Sequence, residues 1–270
     1  MLLRALLLSV FLAALLAATA APTPPLNSQP STFNSSPISS PALADTHCPS
    51  LTHAPDGTLH LTYYGPAPAD AAPNARTLWH ATLAPDATTF STPRPIVTTA
   101  LLMENWADFA TLAVGTDGAL TAQWFQTDGS GGHHSYSGWF SRSEDPGLTW
   151  RTPAPLGHEF VALAPLSQGR TLAVWLESTR KSATHSDPHP KHDPSAPRTD
   201  TSLNSPPAMK LLARLLAPDG TSLGDWTVDP DVCTCCQNTV AVLPGDRVFV
   251  AYRGHTPAEI RDNLHATFDL

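Results

Sequence analysis

Charged residues near the end of the sequence have the types that recognition of an anion requires. Arg253 and Arg261 are close in sequence, and Glu259 and Asp262 lie beside Arg261. Guanidinium groups pair bidentately with carboxylates, so the two arginines predict binding of an anionic small molecule. Because paired charges also occur for purely structural reasons, the alternative is a salt-bridge network between neighbouring sheets, which we favour from sequence alone.

A second group of candidate residues precedes a strongly apolar stretch. Asp108 ends the tetrapeptide Asn-Trp-Ala-Asp, just before a predicted strand, and His158 and Glu159 occupy the matching position before a later strand. A carboxylate at this position can transfer protons, so Asp108 is predicted to be an acid/base residue. Trp106 lies in a predicted loop and is a candidate ligand contact. The other tryptophans recur within strands, which indicates packing between sheets.

The four cysteines, Cys48, Cys233, Cys235 and Cys236, admit three interpretations. In an exported chain an even count favours disulfides, with Cys48 as one candidate partner. A vicinal Cys235–Cys236 bond is possible but strained. A soft-metal thiolate site is the third interpretation.

Histidines in the segment 178–208 raise a separate question. His185, His189 and His192 offer metal-ligating nitrogens. The segment is rich in His, Asp, Pro and Ser and has no apolar periodicity, so a solvated loop is the favoured interpretation. We predict neither a resident metal nor a cofactor.

Repeated hairpins must position these residues. Each repeat has an alternating apolar strand, a tight glycine turn and a second strand ending on an aromatic residue. These hairpins are residues 50–65, 111–126, 162–177 and 241–254. A second hairpin follows the first three, at residues 76–96, 134–156 and 209–229. Two hairpins make four antiparallel strands, which is one propeller blade.

The repeats therefore predict an all-β fold, an incomplete β-propeller of about three and a half blades from a probable total of six. Propellers close with four to eight blades. We expect the chain to be a truncated product. The alternative is a distorted ring that the last hairpin closes against the N-terminal segment.

A turn within the second repeat carries the most specific local pattern, S-x-D-x-G-x-T-W. Short oxygen side chains at Ser143 and Asp145 can bond backbone N–H groups inside the turn. Gly147 supplies a positive φ. Thr149 and Trp150 are predicted to start the next strand, with the indole packing against a neighbouring sheet.

This turn resembles the Asp-box of sialidases and related propellers, in which it is a structural turn on the rim of a blade. Further stretches resemble exported bacterial members of that family. They are residues 105–114, 157–166, 171–177, 231–242 and 252–263.

The resemblance implies a protein that acts on or binds glycans, and the specific activity that it implies is hydrolysis of terminal sialic acids. It implies a tyrosine nucleophile activated by a glutamate. We assign these roles to Tyr252 and Glu259, the acid/base role to Asp108, and substrate binding to Arg253, Arg261 and Trp106. The family's Arg-Ile-Pro signature is absent. A non-catalytic propeller that binds proteins or glycans is therefore the alternative, and a metal-handling protein using the cysteines is a third.

The rest of the chain indicates export. A basic start, an apolar run and a small-residue cleavage pattern predict a signal peptide at residues 1–20. A disordered Ser/Pro-rich linker at 21–46 and a propeller domain at 47–270 follow, with 178–208 as a loop insertion. Secretion or a periplasmic location is expected, with no membrane span after cleavage. The net charge of −8 argues against nucleic acid as a partner.

Overall fold

A computed structural model describes residues 37–105, 107, 109–130, 135–179, 209–233 and 236–254, together with the backbone of 265–268. Residues 38–270 form one compact unit. The predicted signal peptide lies outside the described residues, as do most of the linker and nearly all of the 178–208 insertion. These three boundaries stay predictions.

The described chain consists of β-strands joined by turns, with one short 3₁₀ turn at Ser167–Gly169. The strands group by position into four consecutive sheets, in which all strand pairs are antiparallel. The first sheet contains β1 (His47–His53), β2 (Leu59–Pro66), β3 (Arg76–Leu83) and β4 (Arg94–Thr99); the second contains β5 (Leu102–Met103), β6 (Thr111–Val114), β7 (Leu120–Thr127), β8 (Tyr136–Ser143) and β9 (Ala154–Pro155); the third contains β10 (Glu159–Pro165), β11 (Thr171–Ser178), β12 (Met209–Leu216) and β13 (Ser222–Val232); the fourth contains β14 (Thr239–Leu243), β15 (Arg247–Ala251) and β16 (His265–Phe268).

These pairings confirm the predicted hairpins. The first hairpin of each repeat is observed as β1–β2, β6–β7, β10–β11 and β14–β15. The second is observed as β3–β4, β8–β9 and β12–β13. In the first and third sheets the strand order follows the chain order, which is the arrangement of a propeller blade.

The inner strands of successive sheets are neighbours: β1 contacts β6, β6 contacts β10, and β10 contacts β14. Apolar side chains fill the space between sheets. Tyr64 and Leu78 of the first sheet pack with Trp124 of the second, and Phe125 packs with Trp175 of the third. Burying a side chain of this size contributes roughly 1.5–3 kcal/mol. The described residues thus form an all-β, propeller-like stack of blades, as predicted.

The inner edge of the second sheet is interrupted. Met103 of β5 pairs with Phe125, and Thr111 of β6 pairs with Gln123, so both short strands lie along β7. Only one β7 residue separates these two pairing positions, whereas residues 104–110 separate β5 from β6. This connection contains Trp106 and Asp108, which themselves lie outside the described residues.

Among the described residues, no helix is long and apolar enough to cross a bilayer.

Candidate functional site

The upper face is the end of the sheets at which β1, β8 and β10 begin, at His47, Tyr136 and Glu159. On this face the Tyr136 hydroxyl donates a hydrogen bond of 2.9 Å to Oε1 of Glu159. The bond connects the third strand of the second sheet to the inner strand of the third sheet. A phenol bonded to a carboxylate is a pair in which the carboxylate can accept the phenolic proton.

Aromatic contacts on two sides hold Tyr136 in this position. The Phe125 ring meets the Tyr136 ring edge-on, with centroids 5.9 Å apart. The His158 imidazole lies 5.2 Å from the same ring, tilted by 30°. Nδ1 of His158 is also 3.6 Å from Oε1 of Glu159. Tyr136, His158 and Glu159 therefore form one cluster, which we call the Tyr136 cluster.

A cavity of about 450 Å³ opens beside this cluster. Its lining combines an apolar residue, aromatic rings and several hydroxyl, amide and carboxylate groups: Leu101, Gln126, Thr127, Asp128, Ser135, Tyr136, Ser137, Trp139 and His158. Its size is within the range of small-molecule pockets, and a mixed lining of this kind suits a ligand with both apolar faces and hydroxyl groups.

A bulge at the start of β10 places Glu159 in the cluster. Glu159 pairs with Leu176 and Ala162 pairs with Val174, so β10 contains one extra residue over this interval. Phe160 takes a left-handed backbone conformation there, with φ 52°. A non-glycine residue at positive φ is strained, and bulges commonly redirect side chains beside functional sites.

The first sheet contains a matching bulge at the start of β1. β1 shifts register between His47 and Ser50, and Cys48 has φ 52°. His47 is thus the counterpart of Glu159, and its ring bonds to Glu104.

A second charged cluster surrounds Arg76 on the upper face. Its Nε donates to Oε1 of Glu104 at 2.6 Å, and its Nη1 donates to Oδ2 of Asp45 at 2.7 Å. These contacts tie the residues before β1 to the interruption in the second sheet. Because two carboxylates already engage this guanidinium, Arg76 is poorly placed to bind the carboxylate of a ligand.

A smaller cavity of about 240 Å³ lies between the inner strands of the second, third and fourth sheets. Phe109, Thr111, Phe160 and Asn238 are among its lining residues. The Asn238 amide donates to the main-chain oxygen of Phe160 at 2.6 Å, which links the third and fourth sheets beside the cavity.

The structure describes only two of the six predicted catalytic and substrate-binding residues, Tyr252 and Arg253. Asp108, Trp106, Glu259 and Arg261 lie outside the described residues. Tyr252 is half-buried and packs against the apolar cluster of the third and fourth sheets. The exposed Arg253 donates from Nη1 to Sγ of Cys236, 3.7 Å away. The roles assigned to these six residues stay predictions.

The described cysteines occupy two places. Cys48 packs against the apolar cluster between the first and second sheets. Burial, with a smaller contribution from the charge of Glu104, raises the pKa of its thiol. Cys233 and Cys236 lie together at the end of the third sheet, with Sγ atoms 3.6 Å apart. Cys235 lies outside the described residues, and the predicted disulfides stay a prediction.

No group of three or more His, Cys, Asp or Glu side chains is arranged to hold a metal ion within the described ranges. His185, His189 and His192 fall outside those ranges.

The 143–150 turn lies at the opposite, lower face, where β8 ends. The Ser143 hydroxyl donates to Oδ1 of Asp145 and accepts a bond from the Gly147 N–H, both at 2.8 Å. The N–H and hydroxyl of Thr149 donate to the same carboxylate at 2.8 and 2.6 Å. These bonds, chiefly those from Thr149, lower the pKa of Asp145 to about 2. The turn is thus held by its own side chains, as predicted.

One detail of this turn differs from the prediction. Thr149 and Trp150 precede the next strand, because β9 begins only at Ala154. Pro153 and Pro155 lack the N–H groups that a longer ladder would need. The Trp150 indole does pack between sheets, meeting His80 of the first sheet edge-on at 6.4 Å.

Sequence reasoning missed Tyr136 as a site residue. Its position at the start of β8 gives no signal, because its partner Glu159 belongs to another sheet. The positional match between Asp108 and Glu159 predicted that Glu159 lies just before an inner strand, and in the structure β10 begins at Glu159 itself.

No protein-family model and no curated protein matches the sequence. Among solved structures, a protein of unknown function from Dyadobacter fermentans is 15% identical with a TM-score of 0.43, covering 79% of this chain and 63% of that one. A Hadza microbial sialidase is 13% identical, with a TM-score of 0.45 and coverage of 83% and 44%. An α-L-arabinanase from Penicillium chrysogenum is 13% identical, with a TM-score of 0.46 and coverage of 84% and 62%. This chain spans less than two thirds of each, and similarity at this level identifies neither a family nor an activity.

Proposed function

We propose that this chain is an exported, sialidase-like propeller protein that binds glycans, or acts on them, at the upper face between the second and third sheets. The observation that carries the proposal is the Tyr136–Glu159 hydrogen bond beside a cavity of about 450 Å³. The proposed family rests on the Asp-box pattern, and the proposed export rests on the N-terminal sequence.

The cavity lining supports a polyhydroxylated ligand. Thr127 and Ser137 offer hydroxyl groups that can both donate and accept, and Asp128 offers an acceptor. Tyr136 and Trp139 offer aromatic surface for the apolar face of a sugar ring. Polar groups of this kind fix the orientation of a ligand, while the apolar surface supplies binding energy.

The specific activity that we propose is hydrolysis of terminal sialic acids. In this assignment the Tyr136 oxygen bonds to the anomeric carbon as the leaving group departs, and Glu159 takes the phenolic proton. Water then cleaves the sugar–tyrosine bond. The roles that the sequence assigns to Asp108, as proton donor to the leaving group, and to Arg253, as partner of the sugar carboxylate, complete the proposed mechanism. The pair Tyr252–Glu259 is the competing assignment.

Turnover of a fluorogenic sialoside tests this proposal. Tyr136→Phe and Glu159→Gln should each reduce kcat roughly 100-fold or more, the range for loss of a proton-transfer group. Tyr252→Phe is the matched control and should retain activity. Loss of turnover in Tyr252→Phe, with Tyr136→Phe unaffected, would transfer the nucleophile role to Tyr252.

A non-catalytic glycan-binding propeller is the second candidate. It is favoured by the engagement of Arg76 with Asp45 and Glu104, which leaves that upper-face guanidinium occupied. Under this alternative the parent protein binds sialylated glycans without turning them over, and Tyr136→Ala weakens binding. A parent protein that neither binds nor hydrolyses glycans would end both candidates.

A further inference from the structure

The segment between β13 and β14 crosses from the outer strand of the third sheet to the inner strand of the fourth. On the upper face, its last residues form hydrogen bonds to the inner edges of the second and third sheets. The Gln237 amide donates to the main-chain oxygen of Ala107, and the Asn238 amide donates to that of Phe160. Gln237 and Asn238 therefore connect the start of the fourth sheet to the second and third sheets.

Arg253 holds both ends of the crossing. Its main-chain oxygen accepts a 3.0 Å hydrogen bond from the N–H of Cys233, directly after β13. Its Nη1 donates to Sγ of Cys236 at 3.7 Å. Next to this, Val232 and Gly254 form an antiparallel bridge. One residue thus positions the main chain of the first cysteine and the sulfur of the second.

We propose that Cys233 and Cys236 are a disulfide-forming pair that locks this crossing. Their Sγ atoms are 3.6 Å apart, in contact but beyond the bond length of about 2.05 Å. A disulfide requires the two sulfurs to approach by about 1.5 Å from this separation. The bond would close a ring of four residues across the junction of the third and fourth sheets.

Cys48 is the competing partner for either cysteine. It packs against the apolar cluster between the first and second sheets, whereas the Sγ atoms of Cys233 and Cys236 are already in contact. Burial also raises the pKa of the Cys48 thiol, which reduces the thiolate fraction that exchange requires.

The bond forms by thiol–disulfide exchange with a low-molecular-weight disulfide such as oxidised glutathione. The thiolate of one cysteine attacks a sulfur of that disulfide, forms a mixed disulfide and releases one thiol. The second thiolate then attacks the protein sulfur and displaces the other thiol. The protein loses two electrons and two protons, and the oxidant gains them as two thiols.

A variant with only this pair, Cys48→Ser/Cys235→Ser, tests the proposal. The protein is equilibrated in glutathione redox buffers, quenched, and alkylated under denaturing conditions. Mass spectrometry should find no alkylation under oxidising conditions and two alkylations after reduction, with a single midpoint and no glutathione adduct. Two alkylations throughout the series, or a stable glutathione adduct, would overturn the proposal. In the parent protein, peptide mapping should find the same Cys233–Cys236 link, and a link from either cysteine to Cys48 or Cys235 would contradict it.

A stability measurement separates a locking bond from an incidental one. Reductant should lower the Tm of the two-cysteine variant by a few degrees, because the ring restricts the unfolded chain. The matched variant that also carries Cys233→Ser should show no such shift. Equal shifts in both variants would overturn the locking role. Stoichiometric zinc or copper(I) bound to the exported protein would also overturn the proposal, because metal coordination requires thiolates that a disulfide lacks.

Discussion

The His80 imidazole of the first sheet lies directly against Gly147 of the second sheet. A Cβ built on Gly147 would come within 2.5 Å of Nδ1 of His80. Gly147 also has φ +85°, a conformation that other residues adopt only with strain. The glycine of the 143–150 turn is thus required twice, once by the turn and once by the neighbouring sheet.

Gly147→Ala should therefore destabilise the protein by roughly 2–4 kcal/mol, since backbone strain and a steric clash add. Gly118→Ala is the matched control: its φ is +79°, but a Cβ there meets nothing within 4 Å. Urea denaturation should show a clearly smaller loss for Gly118→Ala. Equal losses in the free energy of unfolding would mean that the contact with His80 contributes nothing.

The buried pair His60–His80 predicts a pH-dependent stability. Nδ1 of His60 and Nε2 of His80 are 2.9 Å apart, and both side chains are buried. Burial, followed by the charges of His60 and Arg94, lowers the pKa of His80 from 6.5 to about 4. Between these values the unfolded chain binds the proton and the folded chain does not. The free energy of unfolding should therefore be highest above pH 6.5 and fall by up to about 3 kcal/mol as the pH decreases to 4.

Denaturation midpoints measured from pH 4 to 7 check this prediction. His80→Gln should reduce the slope in that interval, leaving the smaller contribution of His60, whose pKa burial also lowers. His53→Gln, at an exposed position of β1, should leave the slope unchanged. A parent profile that is already flat would contradict the assignment.

Asp145 should titrate well below an ordinary aspartate. Its two hydrogen bonds from Thr149 are the largest cause of a pKa of about 2. The stability that this carboxylate contributes is therefore present above pH 3.8 and is lost as the pH falls through about 2. Thr149→Val removes the hydroxyl donor and should move the Asp145 pKa toward 3.8 in a carboxyl NMR titration. The Glu144→Gln variant is the control and should leave the Asp145 titration in place; an Asp145 pKa near 3.8 in the parent would be inconsistent with the turn geometry.

The blades could be predicted from sequence because each hairpin forms between residues that are close in the chain. Strand alternation and glycine turns determine pairs such as β6–β7 and β10–β11 without reference to the rest of the chain. The internal bonds of the Ser143–Trp150 turn were predictable for the same reason, since donors and acceptors lie within a few residues.

The Tyr136 cluster could not be predicted because it forms between sheets. The contact between Tyr136 and Glu159 spans 23 residues and depends on the bulge at Phe160, a strained residue that no propensity indicates. The Arg76–Glu104 contact likewise depends on the interruption between β5 and β6. Such contacts depend on how neighbouring sheets pack, which hairpin patterns do not encode.

Binding of a sialylated trisaccharide, measured by ligand-observed saturation-transfer NMR, tests the central claim most directly. The parent protein should give a saturable signal, Tyr136→Ala should weaken the affinity at least about tenfold, and Trp226→Ala, at an exposed tryptophan of β13, should not change it. No signal from the folded parent, or a signal unchanged in Tyr136→Ala, would contradict a glycan site at the Tyr136 cluster.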